Sequence, residues 1–186
     1  MKIGILALQG AFAEHAQILE RLKVSWYLIR KPEDLQPETA GLILPGGEST
    51  VIGKLLAETG LLQKIKAPIE HGMPVFGTCA GMILLAKRIE GQDGRYLDVL
   101  DATVRRNAYG RQLGSFTTNS DFAGIGAVPM VFIRAPYITE IGRQTEILAS
   151  VEDHIVAVRQ GNILATSFHP ELTNDTKVHQ YFLGMV

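Results

Sequence analysis

An α/β fold, built on a mostly parallel open sheet flanked by helices with an antiparallel addition in its second half, is what this 186-residue sequence predicts. Three observations carry that reading. Short apolar runs alternate with amphipathic stretches through the first half, and glycine- or proline-rich loops follow the apolar runs. In the second half the helical intervals thin out and extended pieces follow one another.

The elements follow in order. "KIGILAL" is a buried-strand pattern, and Ala11 to Leu22 sets Phe12, Ile18, Leu19 and Leu22 close to one helical stripe. "VSWYLI" is the next strand and ends at the loop signal "RKPEDLQPE". "GLILPGG" is a strand stopped by proline and glycines, with Ser49 as the expected N-cap of a helix through Glu58. Another helix over Leu61 to Glu70 precedes "MPVFG", a short strand that runs into Cys79. Strand and helix in alternation imply right-handed crossovers and a parallel sheet. Further on, "MVFIRAPYI", "TEILAS", "IVAVRQ" and "ILATSF" are extended, and Gly161-Asn162 between the last two suits a tight hairpin with glycine first. No repeat, linker or low-complexity segment divides the chain, so residues 1–186 are expected to form one domain.

Composition narrows the function classes. The chain is 46% hydrophobic and 20% charged, enough apolar material for a self-sufficient core without a structural metal. A formal net charge of −1 leaves no electrostatic footprint for nucleic acid or an anionic membrane. One cysteine excludes an internal disulfide, and the opening apolar run is interrupted at Gln9 and Gly10, too early for a signal peptide or membrane span. These features predict a reducing, cytoplasmic setting. No cluster has metal-ligand spacing, and "PGGEST" is not a phosphate-binding loop, so neither metal nor cofactor is expected.

In an open parallel sheet the ligand crevice lies at the carboxyl ends of the strands. Three strand-following loops would meet there: "PGGEST", "GTCAG" and "HPEL". In "GTCAG", Gly77 and Gly81 leave room for a sharp strand-to-helix turn of the nucleophile-elbow type, which pushes the central side chain out over the sheet. A thiol at the start of a helix is placed where thiolate, the attacking species, is favoured. Alone, Cys79 fits a small buried hydrophobe equally well.

His169 and Glu171 change the balance. Two apart in an extended segment, they would point the same way, so the carboxylate can hold one imidazole nitrogen while the other faces the sulfur. That supplies a base with its orienter. The other histidines, His15, His71, His154 and His179, have no such company and are expected on the solvated surface. "PGGEST" supplies the remaining part. An oxyanion needs N–H donors, and the elbow arrangement points to those of Ala80 and Gly47.

With these residues in place a resemblance emerges. "GTCAG" with a late "HPE" looks like the class I glutamine amidotransferases, Cys-His-Glu enzymes of flavodoxin-like fold that hydrolyse glutamine and pass ammonia to a partner. "LQGAFAEH", "LILPGGEST", "FGTCAGMILLAK", "RRNAYGRQ", "FIRAPYI" and "SFHPELTND" together resemble the glutaminase-subunit family of pyridoxal 5'-phosphate synthase, over essentially the whole chain. The resemblance implies Cys79 as nucleophile with His169 and Glu171 completing the triad. It implies Gly46, Gly47 and Glu48 lining the L-glutamine pocket, Arg106 contacting the substrate, and Arg134 with Ala135 as a further wall. It also implies docking on the synthase subunit that builds pyridoxal 5'-phosphate (vitamin B6). Arginine offers a planar fork for an α-carboxylate, and Glu48 could receive the α-ammonium. Arg105 and Arg111 also fit a solvated basic loop. Tyr109 stands where the family pattern expects phenylalanine, and the sequence stops at "FLGMV" without a charged tail. A cysteine hydrolase of other amides, or a redox-active binding module, would share parts of this pattern.

Overall fold

The computed structural model describes residues 1–108 and 114–186. In chain order the elements are β1 (Lys2–Leu6), α1 (Phe12–Arg21), β2 (Ser25–Ile29), β3 (Gly41–Leu44), α2 (Ser49–Glu58), α3 (Leu61–Glu70), β4 (Val75–Thr78) and α4 (Ala80–Leu85). There follow β5 (Ala86–Ile89), β6 (Leu100–Arg105), β7 (Ser115–Phe122), β8 (Gly126–Ile133), β9 (Tyr137–Ile141), β10 (Glu146–Val151), β11 (His154–Gln160), β12 (Ile163–Thr166) and α5 (Lys177–Leu183). Short 3-10 turns occupy Pro32–Asp34 and Pro170–Leu172.

The main sheet runs β2-β1-β3-β4-β12-β11-β9-β6-β5, with β10 paired to β11. Its first five strands are parallel throughout, and β12, β11, β9 and β6 pair antiparallel in succession. β3, β4 and β12 are therefore neighbours pointing one way, and their carboxyl ends bring all three candidate loops to a single edge. The chain reverses its direction of travel across the sheet between β1 and β3, the switch point where an α/β sheet opens a crevice.

Alternation within each parallel strand explains why both faces are covered. Leu42, Leu44 and Val75 pack with Ile52, Leu56, Leu61 and Ile65 of α2 and α3, whereas Ile43 and Phe76 face the opposite side. There they meet Ala16 and Leu19 of α1, Val178 and Phe182 of α5, and the buried residues Phe122, Val128, Met130 and Phe132 of the β7–β8 hairpin. Strands buried on both faces read as continuous apolar runs, which is how they appear in the sequence. Each such fully buried side chain contributes about 1.5–3 kcal/mol through removal of apolar area from water.

Several sequence expectations are refined. Ser49 is the first helical residue of α2 and not its cap; Glu48 holds the cap position, with no side-chain cap bond. "MVFIRAPYI" breaks into β8 and β9 at Arg134, whose φ is 43°. Gly161, at φ 55°, and Asn162 do connect β11 and β12 as a two-residue hairpin loop. Strands β5, β6 and β7 and helix α5 carry no strong periodic signal and are additions to the elements expected from sequence. Among the described residues no helix is long and apolar enough to cross a membrane.

Candidate active site

Cys79 sits between β4 and α4 at φ 48° and ψ −100°, a conformation that costs a non-glycine residue about 1–3 kcal/mol and persists only when its surroundings impose it. The surroundings are close backbone contacts. Cys79 N–H donates to the Thr166 carbonyl of β12 at 2.8 Å. A Cβ on Gly77 would lie 2.7 Å from the Gly81 backbone, and one on Gly81 would overlap the Leu44 carbonyl of β3. The two glycines flanking the cysteine thus allow α4 to fold back tightly on the sheet, as the spacing in "GTCAG" predicts.

His169 follows β12 and is anchored by its own N–H to the Val131 carbonyl of β8 at 2.8 Å. Its Nδ1 lies 2.7 Å from Glu171 Oε1, and the ring lines the same cavity as Cys79, both within reach of Gly46. The pair is not on the extended segment that the sequence predicts. Pro170–Leu172 instead curls into a 3-10 turn that folds the carboxylate back onto the ring. Proline at the first position of the turn presets the required φ.

Electrostatics among Cys79, His169 and Glu171 fit together. Burial opposes charge on His169, but its interactions with Cys79 and Glu171 outweigh that and raise its pKa to about 10. Burial would raise the Glu171 carboxyl, yet the His169 hydrogen bond and the positive charge of that ring hold it below the usual carboxylate value. An ionised, buried carboxylate beside a ring that favours the imidazolium form can stabilise positive charge on His169 while a thiolate attacks.

The cavity in front of Cys79 has a volume of about 350 Å³ and is lined by Gly46, Gly47, Glu48, Arg106, Arg134 and His169, among others. Gly46 has to be glycine here, because a Cβ would collide with His169 Cε1 and lie 3.4 Å from Cys79 Cβ. Glu48 and Arg106 form an ion pair across the cavity, with Nη2 to Oε1 at 3.1 Å. A zwitterionic amino acid carries the two complementary charges and can replace each partner of that pair. Ala80 starts α4, so its N–H belongs to the first turn, where no intrahelical acceptor exists.

Ala135 is 1% exposed and its side chain packs in the core, while its neighbours Arg134 and Pro136 line the cavity on either side of it. The Ala135 carbonyl accepts Ala108 N–H at 3.0 Å, which ties down the segment that follows Arg106. Arg105 faces away from the cavity, 2.5 Å from Glu90 and 2.9 Å from the Tyr137 hydroxyl, so it is a cross-strand partner. Tyr109 and Arg111 lie outside the described residues. His71 is exposed as expected, and His154 is half-buried and stacked on Tyr137. His15 and His179 overturn the surface expectation, since both are completely buried.

Sequence reasoning also misses Gln9, whose Oε1 accepts Glu48 N–H at 2.8 Å and so braces the glycine loop. Its position directly after a strand is the available signal. Among the described residues no group of histidine, cysteine and carboxylate side chains could hold a metal ion.

A family model described as the SNO glutamine amidotransferase family matches residues 5–186. The chain belongs to that family. It is 55% identical over 188 residues to the pyridoxal 5'-phosphate synthase subunit PdxT of Bifidobacterium longum (strain NCC 2705), covering 98% of this chain and 99% of the relative. The protein of the same description from Haemophilus influenzae (strain PittGG) is 56% identical over 188 residues, covering 100% and 98%. A solved structure described as a glutamine amidotransferase superposes with a TM-score of 0.94 at 48% identity, covering 98% of this family member and 97% of the other chain. A second solved glutamine amidotransferase, from Thermotoga maritima, shares the fold at 15% identity and a TM-score of 0.65, covering 99% of this chain and 84% of the other.

Proposed function

We propose that this chain is a glutaminase that hydrolyses L-glutamine to L-glutamate and ammonia and supplies the ammonia to the synthase subunit of pyridoxal 5'-phosphate synthase. The observation that carries the reading is the buried His169–Glu171 pair, 2.7 Å apart, on the same cavity as a cysteine held at a strained elbow. Membership of the SNO family and the name borne by the relatives support the substrate and the partner.

In this reading Glu48 receives the α-ammonium of glutamine and Arg106 its α-carboxylate, with Gly46, Gly47 and Arg134 shaping the pocket. The Cys79 sulfur attacks the side-chain amide carbon, and the N–H groups of Gly47 and Ala80 stabilise the resulting oxyanion. His169 gives its proton to the departing nitrogen, which leaves as ammonia and a thioester remains. His169 then takes a proton from water as that water attacks the thioester; glutamate leaves and the cysteine is restored. Glu171 keeps the imidazole oriented and balances its charge through both halves of the cycle. No cofactor enters any step. A single free cysteine fits the reducing interior of a cell, and residues 1–186 act as one amidotransferase domain in the cytoplasm.

Activity should depend on the partner. The Gly46 carbonyl accepts Ala11 N–H at 2.9 Å, and this bond orients the peptide that carries the Gly47 N–H. Turning that peptide costs one backbone hydrogen bond, about 1 kcal/mol, an amount that docking of a partner readily offsets. The test is glutamate release at saturating glutamine, titrated with the synthase subunit. Low turnover alone and a marked rise on titration are expected; equal turnover at every point would show that the free chain is already competent, and absence of glutamate release throughout would overturn the glutaminase reading.

A further inference from the structure

Behind the triad lies a second buried layer of polar side chains. Thr78, at the end of β4, is fully buried, and its hydroxyl meets Gly46 N–H at 3.0 Å, His15 Nε2 at 3.1 Å and Glu171 Oε1 at 3.3 Å. His15 Nδ1 on α1 lies 2.9 Å from His179 Nε2 on α5. Glu171 Oε2 has no hydrogen-bond partner among the described residues and lies 3.6 Å from His15 Nε2.

Valence assigns the protons in this layer. A hydroxyl has one hydrogen and two lone pairs, so three partners saturate Thr78. The carboxylate only accepts, and the Gly46 amide only donates. Thr78 therefore gives its hydrogen to Glu171, and its second lone pair receives Nε2–H of His15. His15 Nδ1 is then an acceptor and takes the Nε2–H of His179. The residual bare atom is His179 Nδ1, the ring nitrogen that lacks a partner among the described residues. An orphaned acceptor there is less costly than the orphaned N–H that the reverse order would leave. Both rings must be neutral for this, and burial, the first cause acting on each, lowers the pKa of both, that of His179 to about 3. Besides His15 acting on His179, the charged groups that act on these two rings are Glu171, His169, Glu14 and Arg21.

We infer that Thr78 and His15 are positioning residues that lock the Glu171 carboxylate and the Gly46 loop to one another, so that the triad and the oxyanion loop are held by a single hydroxyl. This rests on the reading of Cys79, His169 and Glu171 as the triad. Glu171 has two anchors on the same oxygen, His169 and Thr78. Without Thr78 the carboxylate is free to pivot away from the ring, and the Gly46 N–H loses its acceptor. Neither Glu48 nor Arg106 touches this layer, so the loss should fall on turnover more than on glutamine binding.

The test uses Thr78→Val and His15→Leu against the conservative Thr78→Ser and His15→Gln, the last returning an N–H near the position of Nε2. Turnover is measured with the synthase subunit present, and the rate of Cys79 alkylation by iodoacetamide is followed across pH on the chain alone. Thr78→Val and His15→Leu should lower kcat by about 10- to 100-fold, as loss of a supporting hydrogen bond does elsewhere, with KM within about threefold. They should also move the alkylation midpoint upward by about one pH unit, because a loosened Glu171 stabilises the imidazolium less. Thr78→Ser and His15→Gln should recover most of both. Wild-type kcat and an unmoved midpoint in the valine and leucine variants would overturn the inference, as would equal losses in the conservative pair. If Thr78→Val does not fold, the two His15 variants decide the matter in the same way. Alkylation needs no glutamine: a wild-type chain that is alkylated at Cys79 yet releases no glutamate would overturn the glutaminase reading, and the midpoints alone would then decide the positioning role.

Discussion

Glu171→Gln offers a clean separation of charge from geometry. In the structure both hydrogen bonds to the carboxylate end on Oε1, from His169 at 2.7 Å and from Thr78 at 3.3 Å. A glutamine with its carbonyl oxygen at that position retains both bonds, and so retains the His169 tautomer; what it removes is the negative charge. The size of the loss follows from the rise of His169 from 6.5 to about 10, which at 1.36 kcal/mol per unit is about 5 kcal/mol of net preference for imidazolium. Cys79 and Glu171 share that preference. With about half assigned to the carboxylate, the transition state loses about 2 kcal/mol, or roughly 30- to 100-fold in kcat. KM should change little, since Glu171 does not line the cavity that receives the substrate. The assay is steady-state glutamate release in the presence of the synthase subunit. A variant with unchanged kcat and only a raised KM would refute the reasoning and remove Glu171 from the triad.

Cys79→Ala should leave a folded protein that releases no glutamate; a folded variant with wild-type release would end the nucleophile assignment. Gly46→Ala places a methyl group within collision distance of His169 Cε1 and 2.8 Å from Nδ1, so kcat should fall by about 10²-fold or more, and undiminished turnover would mean that the ring has room to move. Stability should fall on mild acidification. His179, its pKa lowered to about 3, stays neutral when folded but binds a proton near pH 6.5 when unfolded, so stability is lost as pH falls below that value, by about 1 kcal/mol between pH 7 and 5.5, and His15, lowered by burial as well, adds to the loss. His169, with its raised pKa, contributes fully below 6.5 and loses that contribution toward pH 10, so over the same interval it returns part of that loss, less than about 1 kcal/mol. A net fall in stability should appear in urea unfolding at the two pH values, and equal stability would show that the buried rings take up protons.

The amino-acid sequence by itself determined the local features of this protein. The apolar runs of β1, β3, β4 and β12, the helices α1 to α3, the glycine turn at Gly161 and the elbow around Cys79 are each written in a few adjacent residues, because turn chemistry and apolar periodicity act over one or two turns of chain. The meeting of Gly46, Cys79 and His169 was legible too, since loops after parallel strands share one edge. What only the tertiary structure decided is what lies behind those loops. His15 reads as a polar residue until α1 is laid on the sheet, although its place three and four residues before Ile18 and Leu19 puts it on the buried stripe. His179 comes to it from 164 residues away. The Ala135 side chain packs in the core beside the break in the strand at Arg134, and the Glu171 carboxylate reaches His169 through a turn where sequence implied a strand. Burial, hydrogen-bond partners and the proton order of the Thr78 layer depend on surfaces brought together across the whole chain, and no local window of sequence contains them.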